Sequence, residues 1–127
     1  MALSAGEPVP DLLIDACGWV AVVDARINID LEIERTIGPA NWILPAQAKE
    51  EIERLAKARN DLLLDLLTTR VTVIDSEDGH TDDVLVHLAQ RLEAPVLTVD
   101  KNLKRRLTAV GCAYLEVVRD RSLRLVD

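Results

Sequence analysis

Two aspartates follow short runs of strand-forming residues, and their chemistry sets the first expectation. Asp15 comes directly after residues 11–14, and Asp100 directly after residues 96–99, both runs being rich in Leu, Ile and Val. The carboxyl ends of parallel strands meet at one edge of an open α/β sheet, so we expect these carboxylates to lie close together. Like charges at short range repel unless a cation lies between them. The sequence therefore predicts a site for a divalent cation, which prefers oxygen ligands.

A third acidic residue, Glu51, is selected by its position on the helix predicted over residues 46–59. The apolar face of that helix is formed by Ala48, Ile52 and Leu55. At 100° per residue, Glu51 lies about 60° from Ala48, beside Leu55 on the shoulder of this face, whereas Glu50 and Glu53 fall on the outer side. Because an isolated carboxylate turned toward a sheet is costly, Glu51 is expected to have a partner there.

A fourth acidic residue, Asp82, opens a helix predicted over residues 81–92. The buried face of that helix is formed by Val84, Leu85, Leu88 and Leu92. Asp82 lies at the edge of this face, while Asp83 lies nearly opposite and faces water, which makes Asp83 only a secondary candidate ligand. Both aspartates lie in the first turn, where the helix dipole favours anions, and this effect is an alternative reason for their presence.

Four carboxylates thus emerge as candidate catalytic residues and metal ligands: Asp15, Glu51, Asp82 and Asp100. Such a set suits hard cations, in particular Mg²⁺ or Mn²⁺. A metal that bridges a phosphate oxygen and a water can activate the water and stabilise the charge formed during attack. The predicted chemistry is metal-assisted hydrolysis of a phosphodiester bond.

The elements that must position these acids alternate between strand and helix. Predicted strands cover residues 11–14, 41–44, 71–74, 96–99 and 113–118, with residues 123–126 as a candidate edge strand. Strand–helix alternation predicts an α/β three-layer sandwich around a mainly parallel sheet of four or five strands. The length of 127 residues predicts one domain over residues 1–127, with residues 1–10 as a leader segment.

Composition limits the environment and the partners. No apolar run has the length of a membrane span. Cys17 and Cys112 do not have the spacing of metal-binding cysteines, so both cysteines are interpreted as buried small hydrophobes. This use of cysteine is typical of a reducing compartment, and the protein is expected to be cytoplasmic. The net charge of −7 is uneven, because residues 1–94 carry 8 basic and 18 acidic side chains and residues 95–127 carry 7 and 4. The basic end fits a phosphate-contacting edge beside an acidic pocket, and it equally fits ordinary solvated surface.

The order of these motifs resembles the PIN domain family, named for the PilT amino terminus. The resemblance covers residues 11–126 and is most specific in Leu97-Thr98-Val99-Asp100-Lys101-Asn102-Leu103-Lys104-Arg105-Arg106-Leu107, which is similar to the archaeal and eukaryotic branch that includes the nuclease of the small-subunit ribosome processome. It implies a compact parallel sheet and cleavage of single-stranded RNA at a Mg²⁺ or Mn²⁺ site. Asp15, Glu51, Asp82 and Asp100 match the four acidic positions of the family.

Two positions depart from the family pattern. The family usually follows its first aspartate with Thr and Asn, whereas Ala16 and Cys17 follow Asp15 here.

The main hypothesis is an endoribonuclease that acts in ribosomal RNA processing, on precursor RNA, or as the toxin of a toxin–antitoxin pair with an antitoxin protein as partner. The alternative is a noncatalytic PIN module that binds RNA or a protein. Homodimerisation is left open by the sequence.

Basic residues after Asp100 are the candidate RNA contacts. They are Lys101, Lys104, Arg105 and Arg106. Positive side chains beside a cleavage site can bind phosphates. Charges near a helix carboxyl end are also stabilising without any ligand, and Arg106 lies close to the apolar stripe of its predicted helix, so packing is its alternative role.

Overall fold

The computed structural model describes residues 9–75, 79–119 and 121–127. The helices and strands in these ranges are β1 (Asp11–Ile14), α1 (Ala16–Asp24), α2 (Ile29–Ile37), β2 (Asn41–Pro45), α3 (Ala46–Arg59), α4 (Leu62–Leu66), a 3₁₀ turn (Leu67–Thr69), β3 (Thr72–Ile74), α5 (Thr81–Leu92), β4 (Val96–Leu97), α6 (Lys101–Ala109), β5 (Tyr114–Val118) and β6 (Ser122–Val126). Most of the predicted leader, residues 1–8, lies outside the described residues. No helix in the described ranges is long and apolar enough to cross a bilayer.

The sheet confirms the predicted fold class and contains more strands than expected. Its order is β3-β2-β1-β4-β5-β6, with every neighbouring pair parallel except β5 and β6. The described residues form six strands, not four or five, because residues 122–126 return beside β5 and pair with it over five residues. The chain leaves β1 toward β2 and β3 and then crosses back to β4. The gap between β1 and β4 is therefore the switch point at which open α/β sheets bind ligands.

Alternation along β1 supplies both faces of the sheet with core residues. Leu12 and Ile14 belong to a cluster with residues of α1, α2 and α3, whereas Leu13 belongs to a second cluster with residues of α5 and α6. Successive side chains of a strand point to opposite faces, so one strand can anchor both layers. Helices thus cover both sides of the sheet, as a three-layer sandwich requires.

Strand β4 is shorter than predicted, and the difference positions the site. Residues 96–99 were expected to be extended, but the strand ends at Leu97. The backbone N–H of Thr98 still donates to Leu115 O at 3.1 Å, and the Thr98 hydroxyl then accepts from the backbone N–H of Asp100 at 3.1 Å. The hydrogen bond between the Thr98 hydroxyl and the Asp100 backbone accompanies a turn of the chain out of the sheet. Asp100 therefore lies immediately before α6.

Helix α1 lies directly against the end of β4. A Cβ atom built at Gly18 would be 2.3 Å from Leu97 O and 2.8 Å from Leu97 C. Only a residue without a side chain permits this approach. The next residue, Trp19, anchors the helix to α4, because its indole Nε1–H donates to Leu64 O at 2.9 Å. The helix that follows Asp15 is therefore held against the strand that precedes Asp100.

Candidate functional site

Asp15 is a buried carboxylate between β1 and α1. Its backbone N–H donates to Leu97 O at 3.1 Å, and the residue is only 6% exposed. Its Oδ2 accepts a hydrogen bond from the Thr98 hydroxyl at 2.8 Å and one from the Cys17 thiol at 2.9 Å. Within the described residues no cationic side chain forms an ion pair with Asp15. The buried Asp15 carboxyl group thus receives its side-chain hydrogen bonds from neutral donors.

Asp100 is linked to Asp15 through Thr98. The Asp100 backbone N–H donates to the Thr98 hydroxyl, whose proton is directed at Asp15. Asp100 Oδ1 accepts from the backbone N–H of Leu103 at 3.1 Å and caps α6. A cap satisfies a free N–H group at the helix start and also places the carboxylate where the dipole favours it. The two strand-end aspartates therefore lie at the same sheet edge.

Asp82 completes a group of three neighbouring carboxylates. It lies in the first turn of α5, where its backbone N–H donates to the capping side chain of His80 at 3.2 Å. Burial raises the pKa of Asp82, and the negative charges of Asp100 and Asp15 raise the pKa further, with weaker opposition from His80 and Arg106. The structure therefore brings Asp15, Asp82 and Asp100 close enough for their charges to interact.

These acids line one open cavity of about 800 Å³. Glu51 also lines it, and so do further polar residues for which the sequence predicted no role in a site, namely Asp24, Gln47, Glu50, Arg54, His80 and Thr81. Gln47 Nε2 donates to Gly79 O at 3.1 Å, while its buried Oε1 finds no donor among the described residues. The cavity wall is strongly acidic. A periodicity argument that ranks residues by distance from an apolar face does not detect Gln47 or Glu50.

Glu51 lies at the rim of this cavity and is less buried than predicted. Its side chain is 44% exposed, and its Oε1 is 3.9 Å from Arg54 Nη2. The helical wheel placed Glu51 toward the sheet and Glu50 away from it, yet both line the cavity. The reason is that α3 begins directly after β2, so its first turns lie beyond the strand ends. There the inner side of the helix faces the cavity instead of the sheet.

Most of the predicted RNA-contacting residues have protein partners. Lys104 Nζ is 2.9 Å from Glu116 Oε1 and lies over the Tyr114 ring at 5.5 Å from its centre. Arg105 donates to Asn102 Oδ1 at 2.7 Å. Lys101 is exposed, and no ion pair to it is found in the described ranges. Lys101 is thus the member of the basic group that is available beside Asp100.

Arg106 and Asp83 form an ion pair outside the cavity. Arg106 Nη2 is 2.7 Å from Asp83 Oδ1, and the Asp83 side chain is 63% exposed. The wheel prediction that Asp83 faces water agrees with this exposure. Asp83, the secondary candidate ligand, is not among the residues that line the cavity.

Cys17 differs from its interpretation as a buried small hydrophobe. The residue is half-buried, and its thiol contacts Asp15 Oδ2 and, at 3.5 Å, Thr98 Oγ1. Burial first, and then the Asp15 charge and hydrogen bond, raise the pKa of Cys17 to about 11. The group is consequently a neutral thiol at physiological pH and can donate to the carboxylate. Spacing rules for metal-binding or disulfide cysteines give no signal for this role.

The acids share a cavity without forming a closed cage. Within residues 9–75, 79–119 and 121–127, no three His, Cys, Asp or Glu side chains surround one point at the spacing of metal ligands. Asp15, Asp82 and Asp100 form the inner group, and Glu51 lies farther out at the rim.

Comparison with known proteins identifies the class of this fold. The family described as PIN-like domain matches residues 12–121, and the chain therefore belongs to that family, as its motifs predicted. Among solved structures, the chain is similar to the PIN domain endonuclease Utp24, with a TM-score of 0.75 and 19% sequence identity over 91% of this chain and 90% of that chain. A search of proteins with curated functions finds no match. At this identity the structural likeness establishes the fold.

Proposed function

We propose that the protein is a metal-dependent endoribonuclease that hydrolyses phosphodiester bonds in single-stranded RNA. The observation that carries this proposal is the grouping of Asp15, Asp82 and Asp100 at the switch point of the sheet, in a cavity open to solvent. Membership of the PIN-like domain family and the likeness to a protein called an endonuclease support the same activity.

The donor set fits Mg²⁺ or Mn²⁺. All four acids offer carboxylate oxygens. Burial, and after it the negative charges of Asp100 and Asp15, raise the pKa of Asp82, and a cation would relieve that repulsion. Mg²⁺ keeps several waters and is commonly held by one or two carboxylates, so an open cavity without a closed cage suits it. Asp15, Asp82 and Asp100 would hold the ion, with Glu51 acting from the rim. When bound, such an ion polarises a phosphate and activates a water.

The basic group provides candidate contacts for the RNA backbone. Lys101 is exposed and directly follows Asp100, so it is best placed to bind a phosphate next to the cleaved bond. Lys104, Arg105 and Arg106 would contribute more distant contacts, and Lys104 would first have to exchange its partner Glu116. On this proposal the RNA is a ribosomal precursor or, in the toxin version, a cellular RNA whose cleavage an antitoxin protein restrains.

A second candidate is a noncatalytic PIN module that binds RNA or a protein partner. Two observations favour it: Cys17 stands where the family usually has Asn, and the Glu51 side chain is 44% exposed at the rim. A module of this kind would keep the basic residues for binding but would not bring Glu51 to the other three acids.

A matched pair of charge-neutralising variants tests the proposed nuclease. Asp100→Asn removes an inner carboxylate while keeping a side chain that can cap α6, and Asp65→Asn makes the same change at an exposed aspartate on α4, outside the cavity. With a fluorescent single-stranded RNA and Mn²⁺, we expect Asp100→Asn to lose at least about 10–100-fold in cleavage rate, the range found when a metal site loses a supporting group. Asp65→Asn should cleave like wild type.

Equal cleavage by wild type and Asp100→Asn would eliminate the proposed site. RNA binding by the wild type without cleavage in Mn²⁺ or Mg²⁺ would favour the noncatalytic module.

A further inference from the structure

Thr98 is a fully buried polar residue between two of the proposed metal ligands. Its single hydroxyl proton is directed at Asp15 Oδ2, at 2.8 Å, and its oxygen accepts from the backbone N–H of Asp100 at 3.1 Å. A buried hydroxyl is costly unless its donor and acceptor are both used, and here both are. One side chain therefore sets the distance between the segments that carry the two aspartates.

Cys17 provides a second donor to the same carboxylate oxygen. Its thiol is 2.9 Å from Asp15 Oδ2. The approach depends on Gly18, because this glycine lets the first turn of α1 lie against the backbone of Leu97, next to Thr98. No donor to the other oxygen, Oδ1, is found in the part of the chain that the structure describes.

Because both donors to Asp15 Oδ2 are neutral, they do not compete with a metal cation as a basic side chain would. An arginine or lysine beside Asp15 would compete with a metal cation for the carboxylate, whereas a hydroxyl and a thiol orient the carboxylate without adding a positive charge next to it. Two donors on Oδ2 also restrict rotation of the carboxylate, so that Oδ1 is the oxygen left for the cavity.

We propose that Thr98 and Cys17 are positioning residues that hold Asp15 by its Oδ2 and thereby present Oδ1 to a divalent cation. This inference rests on the proposed function. Outer groups that orient a ligand in this way typically contribute 10–100-fold to metal affinity.

The test compares substitutions that remove each donor with substitutions that restore it. Thr98→Val and Cys17→Ala remove the donors with little change of shape, and Thr98→Ser and Cys17→Ser keep a hydroxyl at the same place. Cys112→Ala is the control, because Cys112 lies in the opposite core cluster, away from the cavity. Mn²⁺ binding to each full-length protein is measured by isothermal titration calorimetry, and urea unfolding confirms that each variant is folded.

We expect Thr98→Val to weaken Mn²⁺ binding by about 10–100-fold and Cys17→Ala by roughly 10-fold, while both serine variants stay within about threefold of wild type. Cys112→Ala should bind Mn²⁺ as wild type does. Rescue by serine distinguishes an orienting hydrogen bond from a general loss of packing. If Thr98→Val does not fold, the Cys17 pair supplies the same comparison.

Wild-type affinity in Thr98→Val, or equal losses in Thr98→Val and Thr98→Ser, would overturn the role of the hydroxyl. Wild-type affinity in Cys17→Ala would overturn the role of the thiol. Absence of Mn²⁺ binding by the wild-type protein would be a different result, because it would remove the proposed function on which the inference rests.

Discussion

Replacing Gly18 by alanine should destabilise the fold and weaken metal binding together, because one close contact supports both. The added Cβ would lie 2.3 Å from Leu97 O and 2.8 Å from Leu97 C. Both atoms belong to the backbone and cannot rotate away. Since ordinary contacts begin at 3.4 Å, α1 and β4 would have to separate by about 1 Å.

The expected magnitude follows from two opposing effects. Alanine is the better helix former by about 1 kcal/mol, which favours the variant. Overpacking in a close-packed interior costs about 1–3 kcal/mol, and contacts with rigid backbone belong at the upper end. We therefore expect the free energy of unfolding to fall by about 2 kcal/mol. A shift of α1 also carries Cys17 away from Thr98 and Asp15, so Mn²⁺ affinity should fall by at least about 10-fold.

Urea unfolding and Mn²⁺ titration calorimetry measure the two effects, and Gly111→Ala is the matched control. Gly111 has φ +77° and nothing within 4 Å of an added Cβ, so alanine there meets backbone strain of about 1–2 kcal/mol without a steric clash. That variant should lose stability and keep its Mn²⁺ affinity. A Gly18→Ala protein as stable as wild type, or one that binds Mn²⁺ normally, would refute the reasoning.

Two further predictions concern stability. Hydrogen bonds from Lys104 and Arg124 hold the pKa of Glu116 below its ordinary value of 4.5. The stabilisation they provide is therefore present above about pH 5 and is lost as the pH falls through the lowered pKa. Glu116→Gln should therefore flatten the acid limb of stability measured by urea unfolding between pH 7 and 3, and an unchanged slope would contradict this. Trp19→Phe should lower the free energy of unfolding by about 1–3 kcal/mol, because Leu64 O loses its indole donor; a neutral effect would contradict it.

The elements that the sequence predicted well are those with a strong local pattern. Strand β1 and helix α3 have the expected limits, because a short apolar run before Asp15 and a helical repeat after Pro45 are local signals. The sixth strand was only a candidate, over residues 123–126, because its pairing with β5 depends on a tertiary neighbour, and the structure confirms a strand there.

The parts of the site that the sequence missed depend on contacts between distant residues. Thr98 is 83 positions from Asp15, and its role requires α1 to lie on β4, which Gly18 alone permits. The spacing of Thr98 and Asp100, two residues apart at a strand end, is the one local signal that could have indicated a linked pair. Glu51 was selected by periodicity, but periodicity does not show where a helix leaves the sheet and meets a cavity.

Diffraction from crystals of the protein grown or soaked in Mn²⁺ tests the central claim most directly, since manganese is located by its anomalous signal. The account predicts one or more peaks in the cavity, within coordination distance of Asp15 Oδ1 and of a carboxylate oxygen of Asp82 or Asp100. Crystals saturated with Mn²⁺ that show no anomalous peak between these acids, or that show manganese only at other sites, would contradict the account.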